Sequence, residues 1–472
     1  MEGIKAHMNP NRILTIQKPK TRPKKAFVLY WMQQSQRVHF NHALEHAIQI
    51  ANSKDLPVMV YFGLARSYPE ANRRHYQFML EGIKEVQQLL KKLHITFVLK
   101  IGSPDAGILP FLIDCDTLVM DYGHLREPRR WRKKVIEISE QLYPDLFIDM
   151  VESDVIVPTY IASDKQEYGA YTIRKKLHRQ LPFYRDFKTL STVKNQAPVP
   201  AISDDELNDI DELLDTLDIN QDIKASPIYK GGYTQAMKQL TTFITQKAVN
   251  YLESNDPSTS YTSRLSMYLH FGQISSLMIY EHIYLALNQG HISRDVFDAY
   301  VEQLFIRREL AFNYVIYNKN YDDFNHITEP WAYETMKEHQ QDERAYHYNA
   351  SDYISFNTHD PYFNAAMKEM VLTGFMHNYM RMYWAKKIIE WSPNYQFAYD
   401  TIKTLNNTYF IDGRDPNSYA GISWCFGKHD RAWTERPVFG KLRYMNSEGL
   451  KRKFKIETYV KQMQMLEEKY KK

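Results

Sequence analysis

The sequence DPYFNAAMKEMVLTGFMHNYMRMYWAKKIIEW occupies residues 360–391, and LNNTYFIDGRDPNSYAGISWCFGKHDRAW follows at residues 405–433. Asp360 can cap a helix whose first turn holds Pro361, because an acidic cap and an early proline both suit a helix N-terminus. A second helix is predicted over about residues 375–391, where a Ser-Pro pair ends it. We therefore expect this part of the chain to be helical.

Arg381 falls at helical spacing with Trp384 and Trp391, so these three side chains share one face of the second helix. An arginine among apolar side chains needs an anion, because an unpaired buried charge is too costly. Carboxylates follow at Asp412 and Asp415, in a turn that contains glycine. These carboxylates are the expected partners of the arginine.

With 472 residues, the chain is long enough for two or three domains with cores of their own. No apolar run reaches the length of a membrane span, and the basic N-terminus lacks the apolar region of a secretory signal. The cysteines, Cys115 and Cys425, give neither a disulfide framework nor a metal-ligand spacing. We therefore expect a monomeric, cytoplasmic protein with no metal and no membrane segment.

Apolar runs typical of strands alternate with helical patterns upstream of this region. The predicted strands are 26–31, 57–62, 95–100, 117–121 and 146–151, and the predicted helices are 38–53, 73–93, 105–113 and 129–142. This alternation predicts a parallel sheet that is covered by helices on both faces. The sequence contains no phosphate-loop motif, but strands of such a sheet present ligands at their carboxyl ends.

Helical patterns dominate the second half of the chain, so the predicted fold is α/β plus all-α. It comprises a Rossmann-like parallel-sheet domain followed by a larger helical domain. The predicted parts are a basic N-terminal extension (1–24), the α/β domain (25–155), an interdomain connection (156–229) and the helical domain (230–472). The connection is acidic and contains prolines, with a helical pattern at 204–217.

The segment YTSRLSMYLHFGQIS, residues 261–275, places serine hydroxyls at the predicted start of a helix. Free N–H groups and the helix dipole favour an anion at such a start, which makes it a candidate phosphate site. The motif by itself is weak, because many helices begin with serine or threonine.

Several ordered words resemble the signature of class II cyclobutane pyrimidine dimer photolyases, and the resemblance extends from about residue 12 to residue 454. The C-terminal words are HNYMRMYWAKK (377–387), LNNTYFIDGRDPN (405–417), GISW (421–424), HDRAW (429–433) and FGKLRYMN (439–446). The upstream words are YWMQQSQRVHFNHAL (30–44), RRHYQFMLEGI (73–83) and IVPTYIASDKQEYGAYTIRKKL (156–177). The chain departs from the family at His42 and at Glu152-Ser153-Asp154, where the resemblance would otherwise bear on an antenna site. A second chromophore is thus possible but unidentified.

The resemblance implies FAD as the cofactor. By this resemblance, the residues near its pyrophosphate are Tyr251, Ser263, Arg264, Leu265 and Ser266. Arg381 and Asp412 match a pair that lies against the flavin ring, where a guanidinium stabilises the negative charge of the reduced flavin. Asn406 matches an asparagine that faces the flavin N5 atom, and its amide can donate or accept a hydrogen bond.

The resemblance also implies a flipped pyrimidine dimer as the substrate. Trp424 matches a tryptophan that packs against the dimerised bases, and Met382 matches a methionine near them. The family has a Glu-Glu-Leu word where this chain has Glu302-Gln303-Leu304. The functional position is Gln303 or Glu302, and a glutamine cannot donate a proton as an acid.

The family carries a chain of three tryptophans that reduces the flavin after light absorption. Trp384 matches the one next to the flavin and Trp391 the one toward the surface, while Phe363 replaces the middle one. A phenyl ring is far harder to oxidise than an indole, so this route is predicted to be interrupted. The tyrosines that remain as substitutes are Tyr362, Tyr379 and Tyr383.

A basic, aromatic-containing tail follows Trp424 and favours contact with DNA phosphates. The predicted DNA-binding residues are Arg431, Trp433, Arg443, Lys451 and Arg452. The resulting hypothesis is light-driven repair, in which reduced FAD passes an electron to a cyclobutane pyrimidine dimer and splits it. One alternative is a flavin blue-light sensor of the cryptochrome type without efficient repair. Another is an unrelated nucleic-acid-binding protein, which would leave Arg381 and Asp412 without a purpose.

Overall fold

The N-terminal part of the computed structural model alternates strands and helices, as predicted. The structure describes residues 8–21, 25–185, 189–203 and 207–470. The strands are β1 (Ile13–Gln17), β2 (Phe27–Trp31), β3 (Val58–Leu64), β4 (Thr96–Ile101), β5 (Cys115–Asp121) and β6 (Phe147–Val151). The helices between them are α1 (His42–Lys54), α2 (Arg73–Lys92), α3 (Pro104–Gly107) and α4 (Arg126–Leu142). The five predicted strands and four predicted helices are therefore confirmed, with shifted ends.

The sheet has the strand order β1-β6-β5-β2-β3-β4. Strands β2 to β6 pair in parallel, whereas β1 pairs with β6 in the antiparallel direction. The five predicted strands therefore form the predicted parallel sheet, and β1 adds an antiparallel edge strand that was not predicted. Strand β1 lies within the segment 1–24 that was predicted as an extension. It was not predicted as a strand because its five residues are apolar only in part and their pairing partner is remote in the sequence.

The remainder of the chain is mostly helical, which confirms the predicted fold class. The segment that was predicted as a connection contains α5 (Thr159–Ala162), α6 (Ala170–Gln180) and α7 (Ile210–Asp215). Part of the helix predicted at 204–217 lies outside the described residues. The helices that follow are α8 (Tyr233–Thr242), α9 (Ser266–His270), α10 (Ser276–Asn288), α11 (Arg294–Val301), α12 (Arg308–Tyr317), α13 (Pro330–Glu338), α14 (Ala350–Ile354), α15 (Pro361–Thr373), α16 (Asn378–Trp391), α17 (Tyr395–Tyr409), α18 (Pro416–Cys425), α19 (Ser447–Lys453) and α20 (Ile456–Tyr470).

The start of α2 joins the α/β part to the helical part. Arg74 donates through Nη2 to the carbonyl oxygen of Val371 at 2.7 Å and through Nη1 to that of Tyr409 at 3.0 Å. Nε2 of His75 lies 2.9 Å from the carbonyl oxygen of Phe410, and burial lowers the pKa of His75 well below its usual value. These bonds fix the chain around residue 410, where the following turn carries Asp412.

Two structural findings concern membranes and metals. Among the residues that the structure describes, no helix is both long and apolar enough to cross a membrane. In the same part of the chain, no group of three or more His, Cys, Asp or Glu side chains is arranged to hold a metal ion.

Candidate active site

Arg381 and Asp412 form the pair that the sequence pattern anticipated. Nη2 of Arg381, in the first turns of α16, donates to both carboxylate oxygens of Asp412, at 2.9 and 3.2 Å. The guanidinium lies flat against a neighbour, with its Cζ atom 3.9 Å from the ring centroid of Phe410. Nε donates to the carbonyl oxygen of Met376 at 3.1 Å, so the orientation of the cation is fixed from two sides.

Asp412 lies in the turn after α17, and its position is fixed because this turn is folded tightly against that helix. A Cβ atom on Gly413 would come within 2.7 Å of the carbonyl oxygen of Asn406, so only glycine permits this approach. Asp415 caps α18 by accepting a hydrogen bond from the backbone N–H of Asn417 at 2.8 Å. Asn406 lies in the last turn of α17, buried, and its amide donates to Oδ1 of Asn407 at 3.0 Å.

Arg264 supplies a second guanidinium close to the first. Its backbone has φ of 54°, a left-handed conformation that is uncommon outside glycine. Nη1 donates to the hydroxyl of Tyr229 at 3.1 Å, while the buried Nε has no hydrogen-bond partner among the described residues. Phe375 lies between the two cations, with its ring centroid 5.4 Å from Cζ of Arg264 and 5.8 Å from Cζ of Arg381.

An unsatisfied buried donor on a cation is costly, so this cluster suits an anionic ligand. Glu369 is buried nearby, but it accepts hydrogen bonds from the hydroxyl of Tyr459 at 2.8 Å and from the backbone N–H of His377 at 3.0 Å. Burial raises the pKa of Glu369, and the hydrogen bonds and the two arginines oppose that shift. The donor set of Arg264 and Arg381 therefore fits a negatively charged cofactor such as FAD.

The predicted phosphate residues come together around Tyr300. Burial raises the pKa of Tyr300 and the nearby side chain of Ser263 opposes that shift, while the ring centroid of Tyr251 lies 5.2 Å from that of Tyr300. Burial raises the pKa of Tyr251 to about 12, so its hydroxyl is a neutral donor. The helix α9 begins at the exposed Ser266 and is only five residues long, with Leu265 at its N-cap position, so its dipole is small.

The tryptophans of the predicted electron route are both buried on α16. Nε1 of Trp384 lies 3.0 Å from Sδ of Met367, and its ring centroid lies 6.0 Å from that of Phe410, beneath Arg381. Phe363 meets Trp391, with ring centroids 5.0 Å apart. Phe363 and Met367 are one turn apart on α15, so that face of α15 runs alongside both tryptophans.

The resemblance placed Trp391 toward the surface, and in the structure this residue is only 2% exposed. The rings of Tyr348 and His359 each lie 5.2 Å from it, and Tyr353 lies 6.4 Å away. These residues precede α15 in the chain, and they cover the ring of Trp391.

Each of the substitute tyrosines has a polar partner. The hydroxyl of Tyr383 donates to the carboxylate of Asp360, and that of Tyr362 donates to Oε1 of Glu457 at 2.5 Å. The hydroxyl of Tyr379 accepts from Nζ of Lys453 at 3.2 Å.

Trp424 lies in the last turn of α18, half-buried, and belongs to a ladder of rings and guanidiniums. Cζ of Arg443 lies 5.0 Å from the ring of Trp424 and 4.2 Å from the ring of Trp433, and Cζ of Arg431 lies 5.3 Å from the ring of Trp433. Asp430 accepts from Nε of Arg443 at 2.9 Å. Three of the predicted DNA-binding residues are thus brought together beside the predicted substrate tryptophan.

The other predicted DNA-binding residues, Lys451 and Arg452, are exposed on α19, where Lys451 pairs with Glu448 at 2.9 Å. Met382 is half-buried beside Arg381 on α16. The structure therefore leaves these three residues accessible to a ligand.

Glu302 and Gln303 open a single π-helical turn, Glu302–Arg307, between α11 and α12. Glu302 accepts from Arg174 at 2.8 and 3.1 Å and from Arg307 at 2.9 Å, while Gln303 is exposed. Burial raises the pKa of Glu302, but the bonds from Arg174 and Arg307 outweigh it and lower the pKa overall. Glu302 is therefore an ionised acceptor near neutral pH and not a proton donor.

A cavity of about 130 Å³ opens at the carboxyl edge of the sheet, where ligands of such folds bind. Its lining includes Gln33, Tyr68, His124, Trp131, His270 and Phe312. Nε2 of His124 bonds to Glu152 at 2.6 Å, while its buried Nδ1 has no partner among the described residues. The sequence predicted the edge but not these residues, because they come from several distant segments.

Comparisons with known proteins agree with this architecture. A model described as DNA photolyase matches residues 28–200. A solved bacterial class III photolyase from Agrobacterium tumefaciens aligns with a TM-score of 0.71 at 17% identity, over 94% of this chain and 87% of that one. An archaeal photolyase from Sulfolobus tokodaii, described with two FAD molecules, aligns with a TM-score of 0.67 at 15% identity, over 92% and 89%. The fold is therefore that of the photolyases.

A curated relative identifies the family. The deoxyribodipyrimidine photo-lyase of Methanothermobacter thermautotrophicus is 42% identical over 436 residues, which cover 92% of this chain and 94% of that protein. The chain belongs to the DNA photolyase family.

Proposed function

We propose that this protein is a FAD-dependent class II photolyase, a carbon–carbon lyase that repairs cyclobutane pyrimidine dimers in DNA under light. The observation that carries the proposal is the cluster of Arg381, Asp412 and Arg264, with its unsatisfied buried guanidinium Nε. The identity to a deoxyribodipyrimidine photo-lyase over nearly the full length supports the same activity. Bound, reduced FAD supplies one electron to the dimer on absorbing light and regains it when the ring has opened.

The protein residues hold charge and geometry around that cofactor. Arg381 offers a guanidinium that the carboxylate of Asp412 orients, so it is suited to an anionic ring system. Arg264 offers the donor that lacks a partner, and Ser263 and Tyr251 offer hydroxyls for a phosphate group. Asn406 contributes an amide that can serve as donor or acceptor, and so suits more than one redox state.

The residues proposed for the substrate come from α16, α18 and the turn between α11 and α12. Trp424 offers a flat surface to the flipped bases, and Met382 offers an adaptable apolar contact. Gln303 or Glu302 offers a hydrogen bond to a pyrimidine edge. The ring-and-guanidinium ladder, together with Lys451 and Arg452, would contact phosphates around the site.

Three further assignments belong to this proposal. The cavity at the carboxyl edge of the sheet is the place for a second, light-harvesting chromophore, whose identity the lining residues do not specify. The protein acts in the cytoplasm as a monomer. It uses no metal, since the cofactor supplies the redox chemistry.

The direct test is illumination of chemically reduced, FAD-loaded protein with DNA that contains cyclobutane dimers. We expect loss of dimers under blue or near-ultraviolet light and none in the dark. A flavin-loaded protein that leaves the dimers intact in the light would contradict the proposal and favour a light sensor on the same fold.

Trp424→Ala should weaken binding to dimer-containing DNA far more than binding to undamaged DNA. The lost stacking is worth about 1–3 kcal/mol per base. Lys451→Ala and Arg452→Ala serve as contrasts, because loss of phosphate contacts should weaken both DNAs and reduce the salt dependence. Titrations with matched oligonucleotides measure these effects, and an equal loss on both DNAs in Trp424→Ala would assign a structural role to Trp424.

A further inference from the structure

Lys386 is a buried lysine in the middle of α16, five residues after Arg381. The residue is 1% exposed, and Nζ donates to the carbonyl oxygen of Cys425 at 2.6 Å. That carbonyl is the one hydrogen-bond acceptor of Nζ among the described residues, and the ring of Phe439 lies 5.8 Å away. Burying an ammonium group that has one hydrogen-bond acceptor costs free energy. We therefore expect Lys386 to have a function in addition to packing.

The bond holds the end of the helix that carries Trp424. Cys425 is the last residue of α18 and directly follows Trp424. Free carbonyl groups and the negative end of the dipole meet at a helix C-terminus, which favours a cation there. Helix α16 therefore contacts α18 at both ends. Arg381 binds Asp412 just before α18 begins, and Lys386 binds the carbonyl oxygen of the last residue of α18. These two contacts lie on either side of Trp424 in the chain.

The groups that face Lys386 determine when it is charged. They are Asp430 and Arg443 from the loops after α18 and the thiol of Cys425 from α18 itself. Burial is the main cause that lowers the pKa of Lys386 to about 8, Arg443 lowers it further, and the carboxylate of Asp430 opposes the shift. Burial raises the pKa of the Cys425 thiol to about 11, so that thiol stays protonated where Lys386 titrates.

On α16 itself, the neighbouring cation is already neutralised. Nζ of Lys387 bonds to Oε2 of Glu390 at 2.7 Å, and its residue is 6% exposed. Lys387 is thus a second buried lysine on the same helix whose ammonium is paired within α16, and it provides a matched control.

We propose that Lys386 is a positioning residue whose ammonium fixes Trp424 for the dimer, so that lesion recognition weakens when this ammonium loses its proton. The inference rests on the proposed function, because it assigns Trp424 to the substrate. It adds a pH dependence to recognition that the cofactor residues do not require.

The sign of the effect separates positioning from folding. Below the pKa the ammonium holds α18 through a charge-assisted hydrogen bond, and above it the neutral amine keeps only a weaker hydrogen bond to the same carbonyl. The folded-state pKa lies below the unfolded value of about 10.4, so the unfolded chain binds more protons in between. As the pH rises through that window, the titration of Lys386 therefore increases the free energy of unfolding, whereas lesion recognition falls. A general loss of folding would move both in the same direction.

The experiment compares the dissociation constants of one oligonucleotide with and without a cyclobutane dimer, from about pH 7 to about pH 9.5 around this pKa. The ratio of the two constants removes effects of pH on DNA binding in general. We expect the preference of the wild type for dimer DNA to fall several-fold across the range. Lys386→Arg keeps a cation and should show no such fall, whereas Lys386→Met should show the weaker preference at every pH. Lys387→Met should follow the wild type.

Several outcomes would overturn the inference. A wild-type preference that is constant across the range would do so without any variant, so the test does not depend on how well Lys386→Arg folds. The same fall in Lys386→Arg, or an equal weakening of both DNAs in Lys386→Met, would leave Lys386 with a structural role only. No preference for dimer DNA at pH 7 in the wild type would overturn the proposed function itself, and this inference with it.

Discussion

Arg381→Ala is expected to release most of the FAD and to lower the reduction potential of what remains. The guanidinium is held by Asp412 at 2.9 Å and lies on Phe410, so no other side chain in the described structure replaces it. Truncating one partner of a buried charge pair costs about 2–5 kcal/mol, and each 1.4 kcal/mol is a factor of ten. The dissociation constant of FAD should therefore rise by about 30-fold or more. The reduced, negatively charged cofactor loses the cation beside it, which moves the midpoint potential to more negative values.

The measurements are FAD titration of the flavin-free protein and spectroelectrochemistry of the loaded protein. Arg185→Ala is a matched control, because Arg185 forms a similar two-bond pair with Glu281 at 2.7 and 3.0 Å outside the candidate site. We expect Arg185→Ala to leave the midpoint potential unchanged. Arg381→Lys keeps the charge but loses the planar fork, so it should retain part of the potential and little of the affinity. Unchanged FAD content and potential in Arg381→Ala would rule out the assigned role.

Phe363→Trp is expected to turn a poor photoreduction of the flavin into an efficient one. In the wild type, Trp384 is placed to donate an electron to the light-excited oxidised flavin, because it lies beneath Arg381 against Phe410. The electron vacancy should then stay on Trp384, since Phe363 does not readily pass it to Trp391. A vacancy beside the cofactor recombines quickly, so little reduced flavin accumulates even with an external thiol. Repair by chemically reduced protein should not change, because that electron goes to the dimer.

The measurement is flavin absorbance under blue light with dithiothreitol. Phe363 is fully buried against Trp391 and Tyr353, at 5.0 and 5.2 Å between ring centroids, so the larger indole is expected to cost about 1–3 kcal/mol of stability. Two variants test the route: Trp384→Phe should abolish photoreduction, and Trp391→Phe should cancel the gain in Phe363→Trp. Efficient wild-type photoreduction that survives Trp384→Phe would contradict the route and point to Tyr379 or Tyr383.

The order of strands and helices can be predicted from the sequence alone, because their periodicity is local. The five parallel strands alternate with amphipathic helices, and α15 begins at a proline after an aspartate cap, as local rules require. The sequence also determined the pairing of Arg381 with a carboxylate, because a cation on an apolar helix face needs an anion close by. The family words supplied the particular partner, Asp412. Each of these features can be predicted from the residue types and their spacing within one short segment.

Features that depend on pairs of remote segments become visible only in the folded structure. Strand β1 joins the sheet through β6, more than a hundred residues later, and no local pattern announces that pairing. Trp391 is buried because Tyr348 and His359 cover it, although its spacing along α16 gave no sign of a cover. The bond of Lys386 to the end of α18 likewise joins two helices whose contact is set by packing. Helical spacing fixes which side chains share a face, but burial and hydrogen-bond partners come from what folds against that face.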